Sequence, residues 1–213
     1  MNRTAFFAAL RGKLFKGLTQ QQTNRLEAIL DEIKSADYTH PYGIAYILAT
    51  AHHESDRFKT YREYGDEAYY SKMYDIEGSR PKTARELGNL TPGDGAKYAG
   101  RGAVQITGRK NYQKQSQKLG LDLINQPELA ERDDIAARIL VRGMQDGDFT
   151  GKQLEDYFTA TTYDFWGARR MINGTDKDDL IAGYAEAYLQ ALIAASEPIK
   201  TLVAIKPDGT SYA

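Results

Sequence analysis

Apolar residues recur at three- and four-residue steps along most of this 213-residue chain, a period that suits helices and not strands. Thr23, Leu26, Leu30 and Ile33 mark one such stripe between Thr19 and Ala36. Pro41 opens the next helix, where a missing N–H costs nothing, and that helix is predicted to end near Glu54. Further helices are predicted over Arg109 to Leu119, Asp133 to Gln145, Gly151 to Phe158, Tyr163 to Ile172 and Asp178 to Ala195. The stretch from Ser71 to Gly108 breaks the rhythm. Gly78, Pro81, Gly88, Pro92, Gly93, Gly95, Gly100 and Gly102 predict mostly loop there, with short turns of helix or strand. A long irregular segment inside a compact domain is usually functional. No repeat or linker divides the chain, so one mostly α domain is predicted over 1–213, with 197–213 a weakly tied tail.

A chain of this length buries roughly 70% of its extended surface and needs no metal or disulfide to fold. Cysteine is absent, which excludes a disulfide framework, a thiolate zinc site and a cysteine nucleophile together. The formal net charge of −1 argues against a nucleic-acid binder, which would carry a basic excess. Met1 to Leu18 sets Arg3, Arg11, Lys13 and Lys16 around the apolar run from Ala5 to Leu10. The run is too short for a signal-peptide core and is flanked by basic residues on both sides. It reads as an amphipathic first helix packed on the domain, a membrane-surface helix being the alternative. No stretch approaches the roughly 20 apolar residues of a membrane span.

Within the helix from Pro41, Ile44, Ile47, Leu48 and Ala51 form an apolar stripe that Glu54 continues. A desolvated setting and a helix C-terminus both disfavour a charged carboxylate, which is the condition a general acid needs. The competing reading is a helix-end glutamate turned back to water. His52 and His53 precede it, but neighbours on a helix point about 100° apart, and the spacing is not His-Glu-x-x-His, so no metal is assigned. His53 is read as orienting a carboxylate or lining the site, and His40 lies across a turn. Glu63 follows Glu54 by nine residues. Two carboxylates on either side of a turn are the minimal equipment for glycoside hydrolysis, and at this point Asp66 and Glu67 rival Glu63 as the second.

The run from Tyr98 to Tyr112 carries the most information. Val104 and Ile106 alternate with Gln105 and Thr107, which predicts one apolar face and one presenting an amide and a hydroxyl to sugar hydroxyls and a water. Its glycines allow close approach of a ligand to the backbone. A phosphate loop fits poorly, because no Gly-Lys-Ser/Thr follows.

Taken together, Ala51-His52-His53-Glu54-Ser55, Arg62-Glu63-Tyr64-Gly65, the run Tyr98 to Tyr112 and Met171-Ile172-Asn173-Gly174 resemble glycoside hydrolase family 19, the lysozyme-like chitinases and many bacteriophage endolysins. The resemblance spans roughly Tyr42 to Leu192. It implies a mostly α, lysozyme-like, two-lobed domain with a substrate cleft and a loop-rich insertion around 71–108. It implies Glu54 as general acid, Glu63 as general base, and Thr107 as the hydroxyl that holds the attacking water. Gln105, Asn111 and Asn173 match polar cleft residues that contact sugar, Tyr98 and Arg101 fall within the same cleft motif, and His53 is expected beside them as a substrate-binding residue. The arginine that family members often carry after the Ile-Asn-Gly element has no counterpart at Leu180 to Tyr184.

The family inverts configuration, which implies carboxyl groups about 6.5–9.5 Å apart and no cofactor. The nine-residue acid spacing resembles bacterial and phage members. The function expected is therefore an endolysin that hydrolyses the β-1,4 bonds of bacterial peptidoglycan. It would be made in the host cytoplasm, reach the wall through a separate pore, and act as a monomer without inserting in the membrane. Chitin or chito-oligosaccharide is the alternative substrate, and a non-catalytic glycan-binding protein the alternative of another class.

Overall fold

The computed structural model describes residues 1–196 and 202–205, and they are mostly helical. The chain divides into two compact units, Met1–His53 with Leu140–Ala213, and Glu54–Ile139.

In the first unit, α1 (Arg3–Leu10) is capped by the Asn2 side chain and buries Phe6, Phe7 and Leu10. It packs on α9 (Asp178–Ala195), and the Asn2 N–H donates to the Ala195 carbonyl at 2.7 Å. The amphipathic first helix thus stops at Leu10, and Arg11 to Phe15 form a tight turn with Phe15 buried. In α2 (Gln20–Ser35), Thr19 and Gln22 form a reciprocal capping box, and Leu26, Ile29, Leu30 and Ile33 are buried. Glu32 accepts from Arg142 at 2.7 Å, tying α2 to the last turn of α8 (Asp133–Gln145). Around α3 (Pro41–Glu54), Tyr42 and Tyr46 join Phe158, Tyr163 and Phe165 in one aromatic cluster, with Tyr42 and Tyr163 centred 4.3 Å apart.

That cluster explains two departures from the predicted helices. Gly151 to Phe158 yields only a 3-10 turn at Leu154–Asp156, and Tyr163 to Ile172 only another at Gly167–Met171. Thr159 accepts the N–H groups of Thr161 and Thr162 on its hydroxyl, and Asp164 accepts that of Gly167 at 2.7 Å. These short polar side chains offer the backbone a local alternative to the helix, while Phe158 and Phe165 are held individually in the core. Between the turns, β1 (Thr162–Tyr163) pairs in parallel with β2 (Val203–Ala204). The rest of the expected tail, 197–201 and 206–213, lies outside the described residues. Among the described residues no helix is long and apolar enough to cross a membrane.

The second unit contains the glycine- and proline-punctuated stretch, which holds more helix than predicted: α4 (Glu67–Tyr74), α5 (Pro81–Leu87) and α6 (Asp94–Lys97), followed by α7 (Arg109–Leu119). Side chains of the connecting segments fix these short elements. Asp75 accepts the N–H groups of Gly93 and Gly95, and Asn89 donates to the Tyr74 carbonyl while accepting from the Arg109 N–H. Asp94, almost fully buried, pairs with Arg109 at 2.5 Å. Burial works against ionisation of Asp94, but the Arg109 guanidinium and the Thr91 N–H together hold its carboxyl below the usual range.

Candidate active site

The helix α3 is buried on nearly every face, from Ala45 through His52, so the apolar stripe inferred from spacing is a helix without a polar side. Glu54 is its last residue and is half-exposed rather than buried. Beyond it the chain makes a turn of the wrong hand for L-residues: Asp56, Arg57 and Phe58 have φ of 45°, 60° and 61°. Left-handed residues without glycine cost roughly 1–2 kcal/mol each. Several contacts offset that cost. Phe58 is fully buried, the Ser55 hydroxyl accepts from the Phe58 N–H at 3.1 Å, and the Ser55 carbonyl accepts from Lys59 and Thr60. The Asp56 carboxylate accepts from Lys59 at 3.2 Å and from the Tyr64 hydroxyl at 3.1 Å. Slight burial opposes ionisation there, yet these two bonds and the charges of Lys59 and Arg57 keep Asp56 below the usual carboxylate range.

The turn delivers the chain to a short seam of backbone pairing. Glu63 N–H donates to the Gly100 carbonyl at 2.9 Å, and Gly102 N–H to the Tyr61 carbonyl at 2.7 Å, in an antiparallel bridge between Arg62 and Arg101. Arg101 in turn pairs with Ile106. The Glu63 carboxylate is held at both oxygens: Oε1 accepts from the Tyr74 hydroxyl at 2.7 Å, and Oε2 from the Gly100 N–H at 3.0 Å. Burial first, and then the bond to Glu63, push the Tyr74 phenol well up, so it stays protonated and donates. Gly100 is required by proximity: a Cβ there would stand 2.9 Å from Glu63 Oε2 and 3.1 Å from Gln105 Oε1. The rival carboxylates are placed otherwise. Asp66 caps α4 by accepting from the Tyr69 N–H at 2.8 Å, and Glu67 is exposed in the first turn of that helix.

The predicted alternating face at Val104 to Thr107 exists in burial but not in conformation. Val104 and Ile106 are buried, and Gln105 and Thr107 are half-exposed, as part of the tight turn between Arg101 and Ile106. Gln105 itself is left-handed, at φ 52°, with its side-chain amide donating to the Gly102 carbonyl at 2.8 Å. The Thr107 hydroxyl donates to the Gln105 carbonyl at 3.1 Å, and the exposed Asn111 amide donates to the Thr107 carbonyl at 2.7 Å. Gln105, Thr107 and Asn111 therefore form one hydrogen-bonded group, beside the Gly100 whose N–H holds Glu63.

Tyr98 and Arg101, predicted to meet the substrate, are instead buried beneath this group. The Tyr98 hydroxyl donates to the Ile124 carbonyl, and its ring lies 4.8 Å from the Arg109 guanidinium. Arg101 donates to Glu131 at 2.9 Å, to the Lys97 and Ala99 carbonyls, and to the Tyr112 hydroxyl. Side chains so buried and engaged hold the loop in shape.

His52 is buried with Nδ1 2.9 Å from the Tyr188 hydroxyl, while its neighbour His53 is half-exposed, so the two imidazoles diverge as helix geometry requires. His40 donates to the Thr159 carbonyl at 2.8 Å. Asn173 is exposed in the first unit, its N–H donating to the Arg169 carbonyl. The residues that spacing did not reveal are Tyr74 and Tyr70. Both reach Glu63 from α4, Tyr70 by donating to the Glu63 carbonyl at 2.5 Å and to that of Gly65 at 3.0 Å. Tyr74 falls in the stretch predicted to be mostly loop, and nothing local tied either tyrosine to Glu63.

The family model for class I chitinases, glycoside hydrolase family 19, matches residues 34–140. That range contains Glu54, Glu63 and the run from Tyr98 to Asn111, and leaves out Asn173. Chitinase 11 of Oryza sativa subsp. japonica is 43% identical over 51 residues, 24% of this chain and 20% of that protein. Chitinase 8 of the same plant is 45% identical over 40 residues, 19% of this chain and 15% of that protein. The chain thus spans about a fifth or less of the length of these curated relatives. A bacterial family 19 chitinase superposes with a TM-score of 0.59 at 21% identity, covering 93% of this chain and 96% of its own. Chitinase C from Streptomyces griseus HUT6037 does so at 0.59 and 18%, covering 92% of each chain. At such identities the likeness is one of fold, the mostly helical, lysozyme-like one. With half of its residues matched by the family model, the chain belongs to glycoside hydrolase family 19.

Proposed function

We propose that this chain hydrolyses β-1,4 bonds between N-acetylated amino sugars, with chitin and chito-oligosaccharides as its substrate class. The observation that carries the reading is the grip on Glu63: a carboxylate with both oxygens engaged by Tyr74 and Gly100, nine residues after a helix-end glutamic acid. In this reading Glu54 donates its proton to the glycosidic oxygen as the bond to C1 breaks. Glu63 accepts a proton from a water whose oxygen bonds to C1 from the opposite face. Glu63 has lone pairs beyond the two already used, so it can accept from that water without releasing Tyr74 or Gly100. Thr107 holds the water, Gln105, Asn111, Asn173 and His53 contact sugar, and Tyr98 and Arg101 keep the loop in shape.

The names of the rice relatives and of the structural neighbours support chitin and move it ahead of the peptidoglycan expected from the sequence. Peptidoglycan stays as a second reading because of the nine-residue acid spacing. Under it the chain would be an endolysin, made in a host cytoplasm and released through a separate pore. Reducing-end release from colloidal chitin and from purified peptidoglycan, run side by side with Glu54→Gln as control, tests both. Faster release from peptidoglycan reverses the order. Release from neither, with glycan still bound, leaves a binding protein.

A further inference from the structure

We propose that Tyr74 is a positioning residue for this hydrolysis, fixing the rotamer of Glu63 through the bond from its hydroxyl to Oε1; the inference rests on Glu63 being the base. Tyr70 and Tyr74 stand four apart on α4 and so share a face. Both reach the same residue, which lies outside their helix. The Tyr70 hydroxyl takes the Glu63 main-chain carbonyl at 2.5 Å, and the Tyr74 hydroxyl takes the carboxylate at 2.7 Å. One fixes where the residue starts and the other where it ends.

The clamp is itself anchored. Asp66 caps the start of α4, and the Asn89 amide donates to the Tyr74 carbonyl at 2.9 Å. Asn89 also accepts from the Arg109 N–H, at the first residue of α7. Tyr70 is fully buried and Tyr74 half-buried, so neither ring is free to swing out. Gly100 donates to the other carboxylate oxygen from across the seam. Glu63 has three side-chain torsions, and with one oxygen released the carboxylate could turn about the last of them, which is a broad well with little restoring force. Two donors on different elements remove that freedom.

A water aimed at an anomeric carbon tolerates little misplacement, and an error of about 1 Å at a reacting group can cost 10²-fold. Tyr74→Phe keeps the ring and removes one O–H. It should lower kcat by roughly ten- to a hundredfold with KM on a chitin oligomer within twofold, and leave the melting temperature within a few degrees. A purely structural tether would give the opposite: a lowered melting temperature with kcat kept. Retention of more than half of kcat, or a loss expressed in KM, overturns the proposal. Glu63→Gln measured on the same substrate separates the two claims. An inactive Glu63→Gln beside a fully active Tyr74→Phe rejects Tyr74 alone, whereas an active Glu63→Gln rejects the base and Tyr74 with it. Should Tyr74→Phe not fold, Tyr74→Met, which fills similar space without an O–H, should lower kcat by a similar factor without raising KM. Unchanged kcat there also overturns the proposal.

Discussion

Gly100→Ala places one methyl group where the structure leaves no room. The new Cβ would stand 2.9 Å from Glu63 Oε2, 3.1 Å from Gln105 Oε1 and 3.2 Å from Glu63 Cβ, against about 3.4 Å for an ordinary contact. The carboxylate oxygen must therefore move by about 0.5 Å. It cannot simply rotate aside, because the Glu63 Cβ is crowded as well and Oε1 is held by Tyr74. The backbone of Gly100 is not left-handed, so alanine brings no conformational penalty of its own and the effect is steric. Overpacking of this kind costs about 1–3 kcal/mol, which for a chain of this size lowers Tm by roughly 2–12 °C. Displacement of a proposed base by half an ångström should reduce kcat about tenfold or more. Reducing-end kinetics on a chitin oligomer and a thermal melt read both effects. A Gly100→Ala enzyme with kcat within twofold of wild type would show that the spacing between Gly100, Glu63 and Gln105 does not matter to turnover.

Glu54→Gln and Glu63→Gln should each fold normally and lose about 10²–10⁴-fold in kcat, the contribution of a positioned acid or base; a tenth of the wild-type rate in either removes that residue from its role. The Asp94 carboxyl is held below its usual range, so the stability it gives is complete above about pH 5 and is lost as pH falls through its lowered folded-state value. Asp94→Asn should therefore lower Tm at pH 7 and flatten the acid side of a plot of Tm against pH; an unchanged acid side would show that the Arg109 pair carries none of that dependence. Arg101→Met leaves the Lys97 and Ala99 carbonyls and Glu131 short of a donor and should cost about 3 kcal/mol, seen as a Tm lowered by roughly 6–12 °C. Were Arg101 a sugar contact, the loss would appear in KM instead.

Much of the helical framework could be read from residue order. The bounds of α3, α7, α8 and α9 coincide with the expected ones because their ends carry local signals: Pro41 at the start of α3, Gly120 in a left-handed conformation after α7, and acidic pairs at the starts of α8 and α9. Where tertiary packing set the conformation, periodicity misled. Phe158 was expected to end one helix, and Tyr163 and Phe165 to begin another; all three are anchors of an irregular segment instead. In the site, the two glutamates and the Gln105 to Asn111 group were visible as residues, but the contacts that organise them were not. Tyr74 lies 11 positions from Glu63 and Gly100 lies 37, distances over which no local spacing rule operates. Tyr98 and Arg101 were assigned to ligand on motif alone, and only burial shows that they face inward.

The wrong-handed turn at Asp56 to Phe58 has a consequence for how far apart the two acids can be along the chain. It ends in a segment paired through one antiparallel bridge with Gly100 to Gly102, and in extended pairing of this kind consecutive side chains point to opposite sides. Adding or removing one residue after Phe58 would send Glu63 to the far side of the seam and bring Arg62 or Tyr64 into its place. The nine-residue interval is thus a counted length, fixed at one end by a turn that cannot unwind freely and at the other by parity.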